Sequence, residues 1–250
     1  MSGDARVSDL RITRSDDRVE VVLDRPDVRN AISRAMVAEL HDVCAELEAT
    51  PRILILAGSS EVFASGADIA ELRDRRAADA LEGVNSRVFD RIARLPMPVI
   101  AAIDGWALGG GAELAYAADL RIAGEGLRIG NPETGLGILA AAGATWRLPD
   151  IVGRAAAAEL LLTGRTLDAQ EALALGLVSR VVPSAELLST AHELADRIAR
   201  NDPLATRLTK AVLAAPRGAH PAIDEQTQAV LFESPEKHRR MTEFLERKKR

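Results

Sequence analysis

Two short glycine-bearing turns and two glutamates carry most of the chemistry that this 250-residue chain offers. The first turn is Phe63-Ala64-Ser65-Gly66-Ala67-Asp68-Ile69. The second is Asp104-Gly105-Trp106-Ala107-Leu108-Gly109-Gly110-Gly111-Ala112-Glu113. Both come after apolar runs that read as buried strands. Residues without bulk let backbone N–H groups approach a ligand closely. Two such turns can aim one N–H each at a single oxygen, which makes an oxyanion hole. Taken singly, each is also what an ordinary tight turn looks like. The glutamates are Glu113, two residues past the glycine triplet, and Glu133, in Asn131-Pro132-Glu133. Two carboxylates in different environments can divide general acid and general base work. On position alone, Glu113 equally suits complementing a helix dipole, and Glu133 suits opening a helical turn after proline.

Other chemistries fit poorly. His41, His192, His220 and His238 lie far apart, and none adjoins a glycine-rich turn. A metal site or a Ser/His/Asp triad is therefore not expected. No Lys-Ser/Thr follows the glycine triplet, so it is not a phosphate loop. Its spacing is not that of a dinucleotide site either, although strand–glycine–helix placement keeps a Rossmann-type alternative open. The single cysteine, Cys44, permits no internal disulfide and no thiolate cluster. Hydrophobic residues are 47% and charged residues 28%, the balance of a folded chain. A net charge of -5 and only 3% aromatics argue against a nucleic-acid partner. The longest uncharged stretch, 134–146, is well short of the roughly 20 apolar residues of a membrane helix. The charged start, MSGDARVSDLRI, has no signal-like apolar run, so a cytoplasmic protein off the membrane is expected.

The elements that must position these residues follow from apolar periodicity. Residues 10–13 and 19–23 read as a hairpin around a turn at 15–17. Ser33 reads as the cap of a helix whose apolar stripe is Met36, Leu40, Val43, Cys44 and Leu47, which makes Cys44 a core residue. Continuous apolar runs at 53–57 and 98–103 predict strands buried on both faces, as in parallel sheets. A loop is expected at 59–68, mostly helix at 69–95, a helix at 112–118 and a strand at 120–122. The second half predicts helices at 154–162, 168–175, 184–200 and 203–214, a strand at 177–182, and two helices after Pro221 and Pro235. Strands alternating with helices, then helices alone, indicate an α/β core with a helical C-terminal part. The division is placed near residue 195, giving parts 1–195 and 196–250.

The segments FASGADI, PVIAAIDGWALGGGAELAYAADLRIA and NPETGLGI resemble the crotonase family, typified by enoyl-CoA hydratase. The match holds in order and spacing from LDRPDVRNAI to FLERKK, nearly the whole chain. The resemblance implies an α/β fold, a spiral of ββα units with a helical C-terminal trimerisation part. It implies an acyl-CoA thioester substrate, assembly as a homotrimer or dimer of trimers, and no cofactor, since coenzyme A enters as part of the substrate. Residue by residue, it places the oxyanion hole at the N–H groups of Ala67 and Gly110. The catalytic carboxylates fall at Glu113 and Glu133, with Glu113 activating water and Glu133 protonating the α-carbon by family convention. Substrate contacts are expected from Ala64, Ser65, Gly66, Ala67, Asp68 and Ile69, and from Gly109 and Gly110. Asp68 also suits bonding local backbone N–H groups.

The implied reaction is hydration of an enoyl-CoA in fatty acid metabolism, such as β-oxidation. An isomerase of the same family and a non-catalytic acyl-CoA-binding scaffold are the alternatives, because a fold does not fix a function. Three departures bear on specificity. Alanines at 140, 141, 142 and 144 and Trp146 replace the family's Pro-Gly-rich stretch beside the acyl pocket, while Thr145 and Arg147 keep their places. Asp27 stands where relatives carry a base near the CoA phosphates. The basic end, Arg247-Lys248-Lys249-Arg250, approaches CoA phosphates in relatives, and also reads as a solvated tail.

Overall fold

The computed structural model describes residues 8–248. The first seven residues of the charged start, and Lys249 and Arg250 of the basic end, lie outside them. Strand β1 (Leu10–Arg14) pairs antiparallel with β2 (Arg18–Leu23), Leu10 opposite Leu23. A 3-10 turn at Pro26–Val28 carries the exposed Asp27. Helix α1 (Arg34–Ala49) starts where expected, with the Met36 N–H donating to Ser33 Oγ at 3.1 Å. Its buried face includes Met36, Leu40, Val43, Cys44 and Leu47. Burial pushes the Cys44 thiol up to about 12, so it stays a neutral core side chain.

The chain then repeats one unit. Strand β3 (Ile53–Ala57) and the short β4 (Val62–Ala64) precede α2 (Ile69–Asp74), α3 (Ala77–Glu82) and α4 (Val84–Ala93). Strand β5 (Val99–Ile103) and β6 (Trp106–Leu108) precede α5 (Gly110–Tyr116). Strand β7 (Leu120–Gly124) and β8 (Arg128–Gly130) precede α6 (Ala144–Val152) and α7 (Arg154–Thr163). The first strand of each unit joins one sheet and the second joins another. The larger sheet runs β1-β2-β3-β5-β7-β10, parallel from β2 onward, with β10 at Val181–Val182. The smaller runs β4-β6-β8-β9, with β9 (Thr166–Asp168) antiparallel at its edge. These are the ββα turns of a spiral. Strands β3 and β5 are buried at every residue, which explains their unbroken apolar sequence.

Several expected elements differ in form. The loop at 59–68 contains β4, and the second glycine turn contains β6; at three residues each, both are too short to show alternation. The helical stretch 69–95 is three helices, broken at Arg75–Arg76 and at Gly83, which takes φ 66°. Helix α5 begins at Gly110 rather than Ala112. The strand at 177–182 shrinks to its last two residues. Helix α8 (Ala169–Ala174) ends in a Schellman motif, with Leu177 N–H donating to Ala172 O and Gly176 N–H to Leu173 O. Leu177 and Val178 are buried there, in the cap.

The chain divides into two compact units at Ala195/Asp196, within α9 (Leu187–Ala199). The second unit is helical, with α10 (Pro203–Leu213), α11 (Ala222–Phe232) and α12 (Pro235–Arg247).

Helix α5 lies directly against β4 at Gly111, where a Cβ would run into the Ala64 carbonyl oxygen. Helix propensity alone favours Gly111→Ala by about 1 kcal/mol. Overpacking of a tight contact costs about 1–3 kcal/mol, and here the obstacle is backbone. Gly111→Ala is therefore expected to lower Tm by about 2–8 °C in a circular dichroism melt. An unchanged or higher Tm would show that the α5–β4 contact has room to give.

Candidate active site

Strands β4, β6 and β8 are parallel neighbours. Their carboxyl ends lead into Ser65-Gly66-Ala67, Gly109-Gly110 and Asn131-Pro132-Glu133 respectively. Sheet order thus places side by side three segments that are far apart in sequence. The first is clamped from behind by residues 29–32. Ile32 N–H donates to Gly66 O (2.8 Å), and Asp68 N–H to Ile32 O (3.2 Å). The buried Asn30 donates from Nδ2 to both Val62 O and Phe63 O at 3.1 Å.

This clamp uses the Gly66 carbonyl and the Asp68 N–H, the groups that flank Ala67, and leaves the Ala67 N–H turned the other way. Gly110 opens α5, where the first N–H groups have no intrahelical acceptor. Neither N–H donates to any of the described residues. They are close together: a Cβ built on Gly110 would sit 3.4 Å from Ala67 N. The pair opens into a cavity of about 640 Å³.

Both glutamates line the same cavity. Glu113, the fourth residue of α5, is 3% exposed and does not fold back on its own helix N-terminus. Its Oε1 instead accepts the Ala142 N–H (2.7 Å) and the Ala144 N–H (3.1 Å). Burial raises its pKa to about 7, against the pull of those N–H groups and with a further push from the Glu133 charge. Glu133 begins a 3-10 turn, Glu133–Leu136, and lies beside the glycine turn: a Cβ on Gly109 would be 3.1 Å from its Oε1. That oxygen accepts from Asn131 Nδ2 at 3.3 Å, and Asn131 Oδ1 accepts the Tyr116 hydroxyl at 3.0 Å. The other oxygen, Oε2, is buried without a partner. Burial raises the Glu133 pKa as well.

Of the other expected contact residues, Ser65, Gly66, Ile69 and Gly109 line the cavity. Ala64 and Asp68 do not. Ala64 is fully buried in β4, because that strand packs against α5. Asp68 turns aside to cap α2, Oδ1 accepting the Ala70 N–H at 3.0 Å, and its Oδ2 stands 3.8 Å from Arg25. Ala141 and Ala142 of the alanine-rich stretch line the cavity, while Trp146 is exposed under the Arg147 guanidinium. Asn30, Tyr116, Asn131 and the Ala142 and Ala144 N–H groups support the site, roles that residue type and spacing do not assign. Tyr116 had a signal, standing three residues after Glu113 on the same helix. The alanines had none, since their contribution is backbone.

A carboxyl whose folded pKa lies near 7, against an ordinary value of 4.5, keeps its proton in the folded state between those values. Stability is then lost as pH rises from about 4.5 through 7. Glu113→Gln can still accept both N–H groups and has no charge to bury. Its Tm relative to the parent is expected to be about 5–10 °C higher at pH 8 than at pH 5, since a carboxyl raised from 4.5 to about 7 costs on the order of 2–3 kcal/mol across that range. A pH-independent difference would contradict the assignment of a raised carboxyl here.

Comparisons with known proteins cover nearly the whole chain. The family model described as enoyl-CoA hydratase/isomerase covers residues 15–250. The short-chain-enoyl-CoA hydratase of Clostridium acetobutylicum is 38% identical, over 92% of this chain and 91% of that protein. The crotonyl-CoA hydratase of Syntrophomonas wolfei is 38% identical, over 91% of each. Among solved structures, an enoyl-CoA hydratase from Bacillus anthracis superposes with a TM-score of 0.91, at 33% identity over 96% of both chains. A family model spanning nearly the whole chain, joined to these full-length likenesses, places the chain in the enoyl-CoA hydratase/isomerase, or crotonase, family.

Proposed function

We propose that this protein is an enoyl-CoA hydratase, adding water in syn fashion across the double bond of a 2-enoyl-CoA to give a 3-hydroxyacyl-CoA. The observation that carries this reading is the convergence of two free backbone N–H groups and two raised carboxyls on one cavity. The thioester oxygen accepts from the Ala67 and Gly110 N–H groups. As water adds at C3, negative charge develops on that oxygen, and fixed donors stabilise it more than they stabilise the substrate. Glu113 takes a proton from the water. Two N–H bonds at its Oε1 support the ionised form and leave Oε2 for the nucleophile. Glu133 delivers a proton to C2; its unpartnered buried Oε2 supports the neutral acid. The addition is redox-neutral, so this mechanism calls on no metal or redox cofactor, and coenzyme A enters with the substrate.

Two carboxyls favour hydration over isomerisation, which needs one group to shuttle a proton between carbons. The relatives named for short-chain and crotonyl substrates support a short acyl chain. Leu72, Leu136, Ile138 and Leu139 give the cavity an apolar wall for it. A cytoplasmic setting is part of this reading, supported by the one buried, unpaired thiol. So is a homotrimer or dimer of trimers. Helices α10 to α12 contain no buried residue, and Leu213, Val230, Phe232, Phe244 and Leu245 are exposed on them. Apolar surface of this kind suits repeated symmetric interfaces.

Glu113→Gln and Glu133→Gln are each expected to lower hydration of crotonyl-CoA by about 100-fold or more. The double variant should lose less than the product, because the pair acts as a unit. Acyl-CoA affinity should change little, since backbone holds the thioester. A Glu113→Gln variant that hydrates at the parent's rate refutes the two-carboxylate mechanism. Sedimentation velocity is expected to show a trimer or larger at micromolar concentration, and a stable monomer would refute the assembly.

A further inference from the structure

Asn85 is a buried polar side chain that the mechanism above leaves unused. It lies on α4 among Val88, Phe89 and Ile92, which form the helix's buried stripe at offsets of three, four and seven. A hydrophobic residue is what packing alone favours at this position. Asn85 is only 9% exposed, and no hydrogen bond joins its carboxamide to any of the described residues. Leaving a buried amide unpaired is costly, so a partner from outside the chain is expected. The carboxamide oxygen is fully enclosed, so the NH2 side is the one available to the cavity that Asn85 lines.

The position of that NH2 group identifies its partner. A Cβ built on Gly110 would lie 3.4 Å from Asn85 Nδ2 and 3.4 Å from Ala67 N. The Asn85 amide therefore borders the same small patch as the two backbone donors, with only the bare Gly110 Cα beneath. A side chain at 110 would fill the space between them. In the hydration reaction, the acceptor held at this patch is the thioester oxygen, and its charge grows toward the transition state. The geometry points to Asn85 as a third, side-chain donor to the thioester oxygen, beside the Ala67 and Gly110 N–H groups. This inference rests on the acyl-thioester reading of the cavity and assigns a catalytic contact to helix α4.

The test uses two variants and two readouts. Asn85→Leu keeps the bulk and continues the apolar stripe, so Tm should be unchanged or higher. Asn85→Asp keeps the shape and replaces the donor with an acceptor. With crotonyl-CoA, kcat/KM is expected to fall on the order of 100-fold in Asn85→Leu and further in Asn85→Asp, mainly through kcat. The second readout is the absorbance of a bound cinnamoyl-CoA, which shifts to the red as its carbonyl is polarised. The shift should shrink in both variants, whereas a residue that merely supports the fold would leave it unmoved. A parent-like red shift, or kcat/KM within about threefold of the parent, overturns the proposal. Should the parent bind the chromophore but hydrate no enoyl-CoA, the hydratase reading fails while the red shift still decides the role of Asn85.

Discussion

Three adjacent strand ends hold this site together. The side-by-side parallel pairing of β4, β6 and β8 sets Ala67, Gly110 and Glu133 at neighbouring positions, although they are far apart in sequence. Each of these strands is only three residues long, so their alignment depends on the structure around them. The longer strands β3, β5 and β7, buried in the larger sheet, lead into them through tight turns. Asn30 and Ile32 lock the β4 end from behind. A small shift in this pairing would separate the two N–H groups that the proposed mechanism directs at one oxygen, and misplacement of about an ångström is costly in catalysis.

The same packing sets the electrostatics. Glu113 and Glu133 are enclosed by the elements that bring them together, and enclosure raises both pKa values. Full neutralisation would leave no base, and here the Ala142 and Ala144 N–H groups counteract burial at Glu113. Asn131 does so more weakly at Glu133, itself steadied by Tyr116. The result is two carboxyls held above the ordinary carboxylate range in different surroundings, suited to opposite protonation states in one turnover.

Much of this was legible before any coordinates. Apolar runs located β3 and β5, the Ser33 cap located α1, and the glycine turns and two glutamates marked the segments of the site. The match to family segments singled out Ala67 and Gly110 and gave the glutamates their roles. What remained hidden has physical reasons. Three-residue strands are too short for a period, so β4, β6 and β8 do not stand out. Leu177 and Val178 look like strand but serve a helix cap. The support of Glu113 comes from backbone N–H groups, which leave no mark on residue identity. Asn85 was overlooked because its stripe partners lie in a stretch read only as helical. Ala64 and Asp68 lie within a motif whose turn faces the cavity, yet packing and capping direct them elsewhere.

The central claim is that two carboxyls and an oxyanion hole act together on one enoyl thioester. It is tested most directly by following crotonyl-CoA in deuterium oxide by proton NMR. The account predicts a 3-hydroxyacyl-CoA carrying one stereodefined deuteron at C2 and none at C4, because Glu133 delivers a solvent-derived proton and Glu113 only activates water. Deuterium at C4, or binding of crotonyl-CoA without any 3-hydroxy product, would contradict it.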